Sequence, residues 1–385
     1  MNLSGVVGDG NTCALTLNQS LSKGWTYTQG AGSSTASVGI EHTGGTVALN
    51  GGTYYLSETT SSTQTAVTID NAAVFYSSSF GIGTATYTLG GSTAVSTPRL
   101  ILSQGDAGRN ASLTLKDTAT LSVSGETNSD ANTSSIMIGH WNGPSTLTLQ
   151  DTASFTAEKA DLLLGKTGNT QTINLNGGTL TARGIKLASN ATGTNRLNLN
   201  GGTLRLGATG ITSYNASRVL TLTVNNAPVL EALADFTVAY GVNLADGAVL
   251  TVKPEGHTLT FAQAFSGAGA LKLEGSGTVD LTALETLPVF AGIDSGITLK
   301  LSAGTLEALL LGGTLTKTLT PVSGAALAGT VELWLNGAKL DADAQTNEDG
   351  SLTLSTTVIP GTCTGNQWFW DYEFTGNLTN IGSDG

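Results

Sequence analysis

Two aspartates, Asp117 and Asp151, have the spacing in this sequence that most resembles an acid–base pair. They hold equivalent places in the related segments KDTATL and QDTASF, so stacked repeats would set them about one strand spacing apart, roughly 4.8 Å. Glycoside hydrolysis needs two acids roughly 5–9.5 Å apart over one groove. Aspartate in a turn commonly bonds its own backbone, however, and the most regular repeats carry glycine here. We therefore predict no catalytic residue.

A second candidate for chemistry is the acidic segment DADAQTNEDG, in which Asp341, Asp343 and Asp349 are possible calcium ligands. The segment lacks the central glycine and terminal glutamate of a helix–loop–helix calcium site. The alternative is a solvated β-hairpin that turns at Asp349-Gly350.

Aromatic residues provide two possible sugar contacts. Alternation in WFWDYEF puts Trp368, Trp370 and Tyr372 on one face of a strand, where rings could stack on a carbohydrate; the alternative is a strand that opens a further domain. His140 and Trp141 interrupt a bend of small residues and are candidate ligand-binding residues, with a loop of no functional consequence as the alternative.

Several classes of function are disfavoured. No serine has GxSxG neighbours and no glycine-rich loop leads from a strand into a helix, so no cofactor is predicted. The formal net charge is −12 and the 16 lysines and arginines do not cluster, which argues against nucleic acid as a partner. Cys13 and Cys363 lie near opposite ends of the chain, where a disulfide between them is not expected.

The elements that must position these residues follow from a repeat. Residues 172–183 read TINLNGGTLTAR and residues 196–207 read RLNLNGGTLRLG, an offset of 24. Each copy is a strand, a turn and a second strand, and GIKLASNATGTN between them supplies a third strand. A period of this length without room for a helix indicates a solenoid.

Aligning every unit on the apolar residue before its turn predicts one stacked column. Its members are Leu49, Ile69, Leu89, Leu115, Leu149, Leu175, Leu199, Val224, Leu244, Leu273, Leu301, Leu335 and Leu354. The spacing predicts an all-β parallel β-helix of about 12 coils over residues 46–355. Residues 1–45 would form a cap and a first irregular coil, and residues 356–385 a C-terminal aromatic segment, either a cap or the start of another domain.

The turns carry their own prediction. The Asn-Gly-Gly-Thr turns at 50–53, 176–179 and 200–203 place glycine where the backbone needs a positive φ. The asparagines would then stack from coil to coil, with their amides paired in a ladder.

A family resemblance is carried by LTVKPEGHTLTF, FSGAGAL and GSGTVDL within residues 242–281. This stretch resembles the autotransporter-associated β-strand repeat of bacterial surface proteins, and the LNGGTL copies are similar to autotransporter passenger regions. The resemblance implies a right-handed, pectin-lyase-like β-helix, exported and displayed at the outer membrane of a bacterial cell. It supplies no catalytic residues.

The sequence begins without a basic stretch or an apolar core of a signal peptide, so we expect a segment of a longer protein whose export signal lies outside it. The expected function is a non-enzymatic stalk or adhesin-like passenger, with glycans or surface proteins as possible partners. The alternative is a polysaccharide-degrading or tailspike-like glycan-binding β-helix.

Overall fold

The computed structural model describes residues 25–27, 39–42, 45–50, 52–61, 65–103, 110–127, 134–140, 143–166, 169–304, 313–335, 337–358, 362–364 and 367–369. All regular structure in these residues is β-strand. The predicted all-β class is therefore confirmed.

The strands follow one another through short bends. The first twelve are β1 Trp25–Tyr27, β2 Gly39–His42, β3 Gly45–Asn50, β4 Gly52–Ser61, β5 Thr65–Asp70, β6 Ala73–Ile82, β7 Ala85–Gly90, β8 Ala94–Thr97, β9 Leu100–Leu102, β10 Ala111–Leu115, β11 Thr120–Val123 and β12 Ile136–Ile138. The next thirteen are β13 Ser145–Leu149, β14 Ser154–Leu164, β15 Gln171–Leu175, β16 Thr179–Leu187, β17 Asn195–Leu199, β18 Thr203–Ser213, β19 Leu220–Val224, β20 Val229–Ala232, β21 Phe236–Val238, β22 Val242–Leu244, β23 Val249–Lys253, β24 Thr258–Phe261 and β25 Phe265–Gly267. The last eleven are β26 Ala270–Leu273, β27 Ser276–Leu281, β28 Val289–Ile293, β29 Gly296–Ser302, β30 Gly313–Leu319, β31 Thr330–Leu335, β32 Ala338–Leu340, β33 Asp343–Thr346, β34 Leu352–Val358, β35 Thr362–Thr364 and β36 Gln367–Phe369.

One strand from each successive coil enters a wholly parallel sheet, which we call the front sheet. Its ten strands are β3, β5, β7, β10, β13, β15, β17, β19, β22 and β25. Ten strands make nine strand-to-strand steps, so the chain is a β-solenoid of about nine turns, and the predicted number of about 12 coils is not confirmed. Each step joins residues 20 to 34 positions apart in the sequence, because the bends between the strands differ in length.

The predicted column is present in the front sheet as far as its ninth member. The register pairs Leu49 with Ile69 and continues, step by step, through Leu199 and Val224 to Leu244. The next member is Gly267, not Leu273. The alignment fails there because Leu273 belongs to β26 and pairs with Val252 and Ile293 in the other large sheet.

The other large sheet, which we call the bent sheet, takes two strand segments from most coils. In β16 the two segments are continuous, and the register with β18 shifts between Ala182 and Gly184, where the strand bends. In other coils they are separate strands, such as β20 and β21. Most coils thus have the three strand segments that the repeat predicts.

A single hydrophobic core fills the solenoid. One cluster of buried side chains extends from Val67 to Leu354. Leu175, Leu199 and Val224, stacked in the front sheet, are at most 1% exposed and belong to this cluster. Since each coil contacts mainly its neighbours, stacking gives every coil apolar cover that it lacks alone.

Turn residues explain how the chain leaves the front sheet. Two positions after the column residue, the backbone takes a positive φ at Asn71, Gly91, Asp117, Asp151 and Asn226. In the Asn-Gly-Gly turns the positive φ falls one residue later, at Gly178 and Gly202. Glycine, asparagine and aspartate tolerate this conformation best, which is why they recur at this corner.

The predicted asparagine ladder is confirmed for the coils from Asn176 to Asn225. Asn200 Nδ2 donates to Asn176 Oδ1 at 2.7 Å, and Asn225 Nδ2 donates to Asn200 Oδ1 at 2.6 Å. The Asn200 amide therefore links three successive coils, donating to one neighbour and accepting from the other.

Parallel pairing stops near the C-terminal end of the described chain. The last parallel strand, β31, pairs on its other side with β32 in an antiparallel ladder. Strands β30, β34 and β33 form a three-stranded antiparallel sheet whose Leu319 and Leu354 join the common core. An antiparallel strand over the last coil covers an edge on which another chain could otherwise pair.

Candidate functional site

The paired aspartates lie on adjacent coils, as predicted, but they hold the coils together. Asp151 Oδ2 accepts a hydrogen bond from the backbone N–H of Asp117 at 3.0 Å, and Asp117 Oδ2 accepts one from Gly91 N–H at 2.9 Å. Each carboxylate therefore binds the turn of the preceding coil. Each of these hydrogen bonds uses one acceptor oxygen of the carboxylate.

The same corner is reinforced by neighbouring side chains. Thr152 Oγ1 donates to Asp117 C=O at 2.8 Å, and Thr118 Oγ1 donates to Gly91 C=O at 2.9 Å. One coil earlier, Asn71 Oδ1 accepts from the backbone N–H of Ser92 at 3.0 Å. Asn71 therefore binds the turn of the following coil, whereas Asp117 and Asp151 bind the turn of the preceding one; all three side chains accept hydrogen bonds from backbone N–H groups.

His140 lies in a bend where basic groups gather. Its Nε2 is 3.2 Å from Lys166 Nζ, which belongs to the equivalent bend of the next coil. Burial lowers the pKa of His140 to about 4, and the charges of Lys166 and Arg99 act in the same direction. His140 is consequently neutral near pH 7. Its predicted partner Trp141 lies outside the described residues.

Glycine shapes this bend so that amides of the next coil can enter it. Gly139 and Gly165 have φ values of 87° and 69°. A Cβ on Gly139 would overlap the buried amide of Gln171, and one on Gly165 would lie 2.8 Å from Asn195 Oδ1. Gln171 Nε2 donates to Gly143 C=O at 3.3 Å. The sequence interval of 26 between His140 and Lys166 is therefore one full turn of the solenoid.

The acidic segment forms the hairpin that was predicted as the alternative to a calcium site. Strands β33 and β34 pair antiparallel, and Gly350 has a φ of 80°. Asp349 Oδ1 accepts from Ser351 N–H at 2.9 Å and from Ser351 Oγ at 2.6 Å, which lowers the pKa of this carboxyl. No group of three or more acidic, histidine or cysteine residues in the described chain could hold a metal ion, and Asp341 and Asp343 therefore do not form one with Asp349.

Of the aromatic candidates, only Trp368 has a described backbone. It lies in β36, opposite Cys363 of β35 in an antiparallel pair. Trp370 and Tyr372 lie outside the described residues. The prediction of a sugar-binding aromatic face stays a prediction.

Sequence reasoning missed two regular side-chain rows on the outer face of the front sheet. One is a second amide ladder, in which Asn198 Nδ2 donates to Asn174 Oδ1 at 2.8 Å. The other is a double row of threonines on the coils before it. The signal was present in the sequence as polar residues one and three positions before the column residues from Leu89 to Leu199, for example Thr86 and Thr88 before Leu89.

No family model, curated protein or solved structure matches the chain at a significant level. Among the described residues there is also no helix long and apolar enough to cross a membrane.

Proposed function

We propose that this chain is a non-enzymatic passenger segment, a stalk or adhesin-like β-helix, of a longer exported bacterial surface protein. The observation that carries the proposal is the use of the turn carboxylates: Asp117 and Asp151, the pair with glycosidase-like spacing, bind backbone N–H groups of neighbouring coils. In each carboxylate one oxygen is thus occupied in holding adjacent coils together, whereas a general acid or base must be positioned toward a substrate.

A display role also suits the solenoid itself. Its core is continuous and its coils are linked by amide and carboxylate ladders. With a strand spacing of about 4.8 Å, nine steps extend the front sheet by roughly 43 Å. The expected winding is right-handed, as for nearly all parallel crossovers. Such a body separates its ends and presents long, regular faces to solution.

The proposal is tested first by activity. The purified chain and the variants Asp117→Asn and Asp151→Asn are incubated with pectin, mucin and host-type glycans, and released sugars are measured. We expect no release from any of the three proteins. Release by the parent chain that either variant loses would favour a polysaccharide-degrading β-helix instead.

Display is tested separately on cells that make the full-length protein. Antibodies raised against this segment should label intact cells, and added protease should remove the label. Labelling only after the cells are broken open would contradict surface display.

A glycan array probed with the purified chain then separates an adhesin, which binds without turnover, from a passive stalk.

A further inference from the structure

The outer face of the front sheet carries two parallel rows of hydroxyl-bearing side chains. Successive strand residues point to opposite faces, and here the inward residues are the buried column while the alternate residues point out. The first row is Thr86, Ser112, Thr146 and Thr172, which pair in register from β7 to β15.

The second row lies two residues further along the same strands. It consists of Thr68, Thr88, Thr114 and Thr148, which pair in register from β5 to β13. After Thr148 the row continues as Asn174 and Asn198. On β7, β10 and β13 the two rows lie side by side and form a lattice of hydroxyl-bearing side chains.

This lattice is neutral although the chain as a whole has a net charge of −12. The first charged side chain met along the first row is Arg196 on β17. Charged side chains instead pair on the bent sheet, for example Arg205 with Glu231 at 2.7 Å and Lys272 with Glu274 at 2.6 Å. The two rows themselves therefore offer no charge to a partner, although Asp70 of β5 and Lys116 after β10 stand at the next outward position of the same strands.

Aromatic rings are also missing from these outward positions. Tyr87 lies between Thr86 and Thr88 in the sequence, but it points into the core and is 1% exposed. Sugar-binding faces usually rely on stacked rings, because a ring gives a large rigid apolar contact. The threonine lattice offers instead a repeated hydroxyl next to a repeated methyl group.

The spacing of this lattice can be compared with that of crystalline water. Neighbouring strands lie about 4.8 Å apart, and residues i and i+2 of one strand lie about 6.7 Å apart. Four-coordinate water with O···O distances of about 2.75 Å repeats at about 4.5 Å between second neighbours and about 7.3 Å along the stacking axis of hexagonal ice. The two lattices agree to within about a tenth in both directions, over the three strands β7, β10 and β13 that carry both rows.

Thr86 is exposed and Thr114 and Thr146 are partly exposed, whereas Thr148 is buried, with 8% of its surface exposed. Within the described residues, the hydroxyls of Thr86, Thr114 and Thr146 make no hydrogen bond, whereas Thr148 Oγ1 accepts from Asn174 Nδ2 at 3.5 Å. Inward neighbours such as Leu113 and Leu147 are fully buried. A rigid array loses little entropy when it orders water or meets a crystal.

We infer that the two threonine rows on β5 to β15 form an ice-binding surface. The ligand is the face of an ice crystal, met through water molecules that the hydroxyls and methyl groups hold in an ice-like arrangement. This inference does not depend on where the protein is displayed, because the surface is complete in the isolated chain.

The test uses the purified chain in ice-recrystallisation and single-crystal growth experiments. We expect the parent chain to slow grain growth and to produce faceted crystals. In Thr114→Lys/Thr146→Lys, two long charged side chains stand in the middle of the lattice, and the concentration needed for the same inhibition should rise about tenfold or more. The matched control, Thr120→Lys/Ser122→Lys, alters two exposed residues of β11 in the same coil as β10 but on the bent sheet, and should behave as the parent does.

Melting temperatures and circular dichroism establish that all three proteins are folded before they are compared. Absence of any effect of the folded parent on ice, or equal inhibition by the Thr114→Lys/Thr146→Lys variant, would overturn the inference. So would binding of the parent to crystalline cellulose or chitin that this variant loses without any effect on ice. A dimer that only this variant dissociates in sedimentation experiments would also overturn it, because the face would then serve a second copy of the chain.

Discussion

At the scale of single residues, backbone conformation at the corners is the strictest requirement. Gly178 combines a φ of 66° with a close approach, because a Cβ there would collide with the Ala153 carbonyl oxygen. Gly247 has a similar φ of 71°, but a Cβ added there would meet no atom within 4 Å. A substitution at Gly247 therefore introduces conformational strain alone, whereas one at Gly178 introduces both strain and steric overlap.

We predict that Gly247→Ala lowers the unfolding free energy by about 1–2 kcal/mol, the strain of a left-handed alanine. Gly178→Ala should cost clearly more, since the backbone of the neighbouring coil must also move. Chemical denaturation of both variants and the parent measures the difference. Equal losses would show that the approach of Gly178 to Ala153 is unimportant.

A second prediction at this scale concerns the effect of His140 on the pH dependence of stability. Its pKa in the folded chain, about 4, lies below the ordinary value of 6.5. Between these values the unfolded chain binds the additional proton, so this residue makes stability fall as the pH is lowered from about 6.5 to about 4. Below about pH 4 the loss is complete.

Replacing His140 by Gln removes this titration and keeps a polar side chain in the bend. Unfolding free energies of the parent and His140→Gln, measured from pH 7 to pH 4, should differ in slope, with the variant less sensitive to pH. Parallel curves would contradict a depressed pKa at His140. Comparing the two proteins is necessary because carboxyl groups also titrate toward the acid end of this range.

At the scale of elements, ladders join one coil to the next. Asn200 is the middle member of three, bonded to Asn176 and Asn225. We predict that Asn200→Ala lowers the unfolding free energy by about 1–3 kcal/mol, because the substitution removes two hydrogen bonds between coils, each worth about 0.5–1.5 kcal/mol.

The matched control for this prediction is Asn243→Ala. Asn243 is an exposed residue on the outer face of β22, and its substitution should change stability by less than about 0.5 kcal/mol. Similar effects of the two substitutions in thermal unfolding would show that the ladder adds nothing beyond ordinary strand propensity.

The strands could be predicted from the sequence wherever a short residue pattern identified both the strand and the sheet to which it belongs. The column from Leu49 to Leu244 was found because every unit ends in an apolar residue followed by turn-forming residues. Leu273 was misplaced because EGSG after it resembles such a turn, and alternation alone does not tell a front-sheet strand from a bent-sheet strand. Likewise the proximity of His140 to Lys166 depends on bend lengths in the intervening turn, which local patterns do not determine.

At the scale of the whole molecule, the last parallel strand is covered by an antiparallel one. Truncating the chain after Leu335 removes β32 and the β33–β34 hairpin and leaves the outer edge of β31 without a strand. We predict that this variant associates end to end, as exposed parallel edges do. Light scattering across a concentration series measures the association.

Truncation after Val358 is the control, because it keeps β32, β33 and β34. It should show the same association behaviour as the full chain. If the chain truncated after Leu335 stays as dispersed as this control, the antiparallel strands are not required as a cap.

Because the register of the front sheet is unbroken, whole coils can be gained or lost during evolution. Removing residues 176–199 would join Leu175 to Asn200 and leave every remaining column aligned, because Leu175 and Leu199 are equivalent in the stack. Slippage during replication can add or delete such a block of 24 codons. The front sheet of the encoded protein then becomes longer or shorter by one strand spacing, about 4.8 Å, and the fold is unchanged. The length of this solenoid can therefore change during evolution in steps of one whole coil.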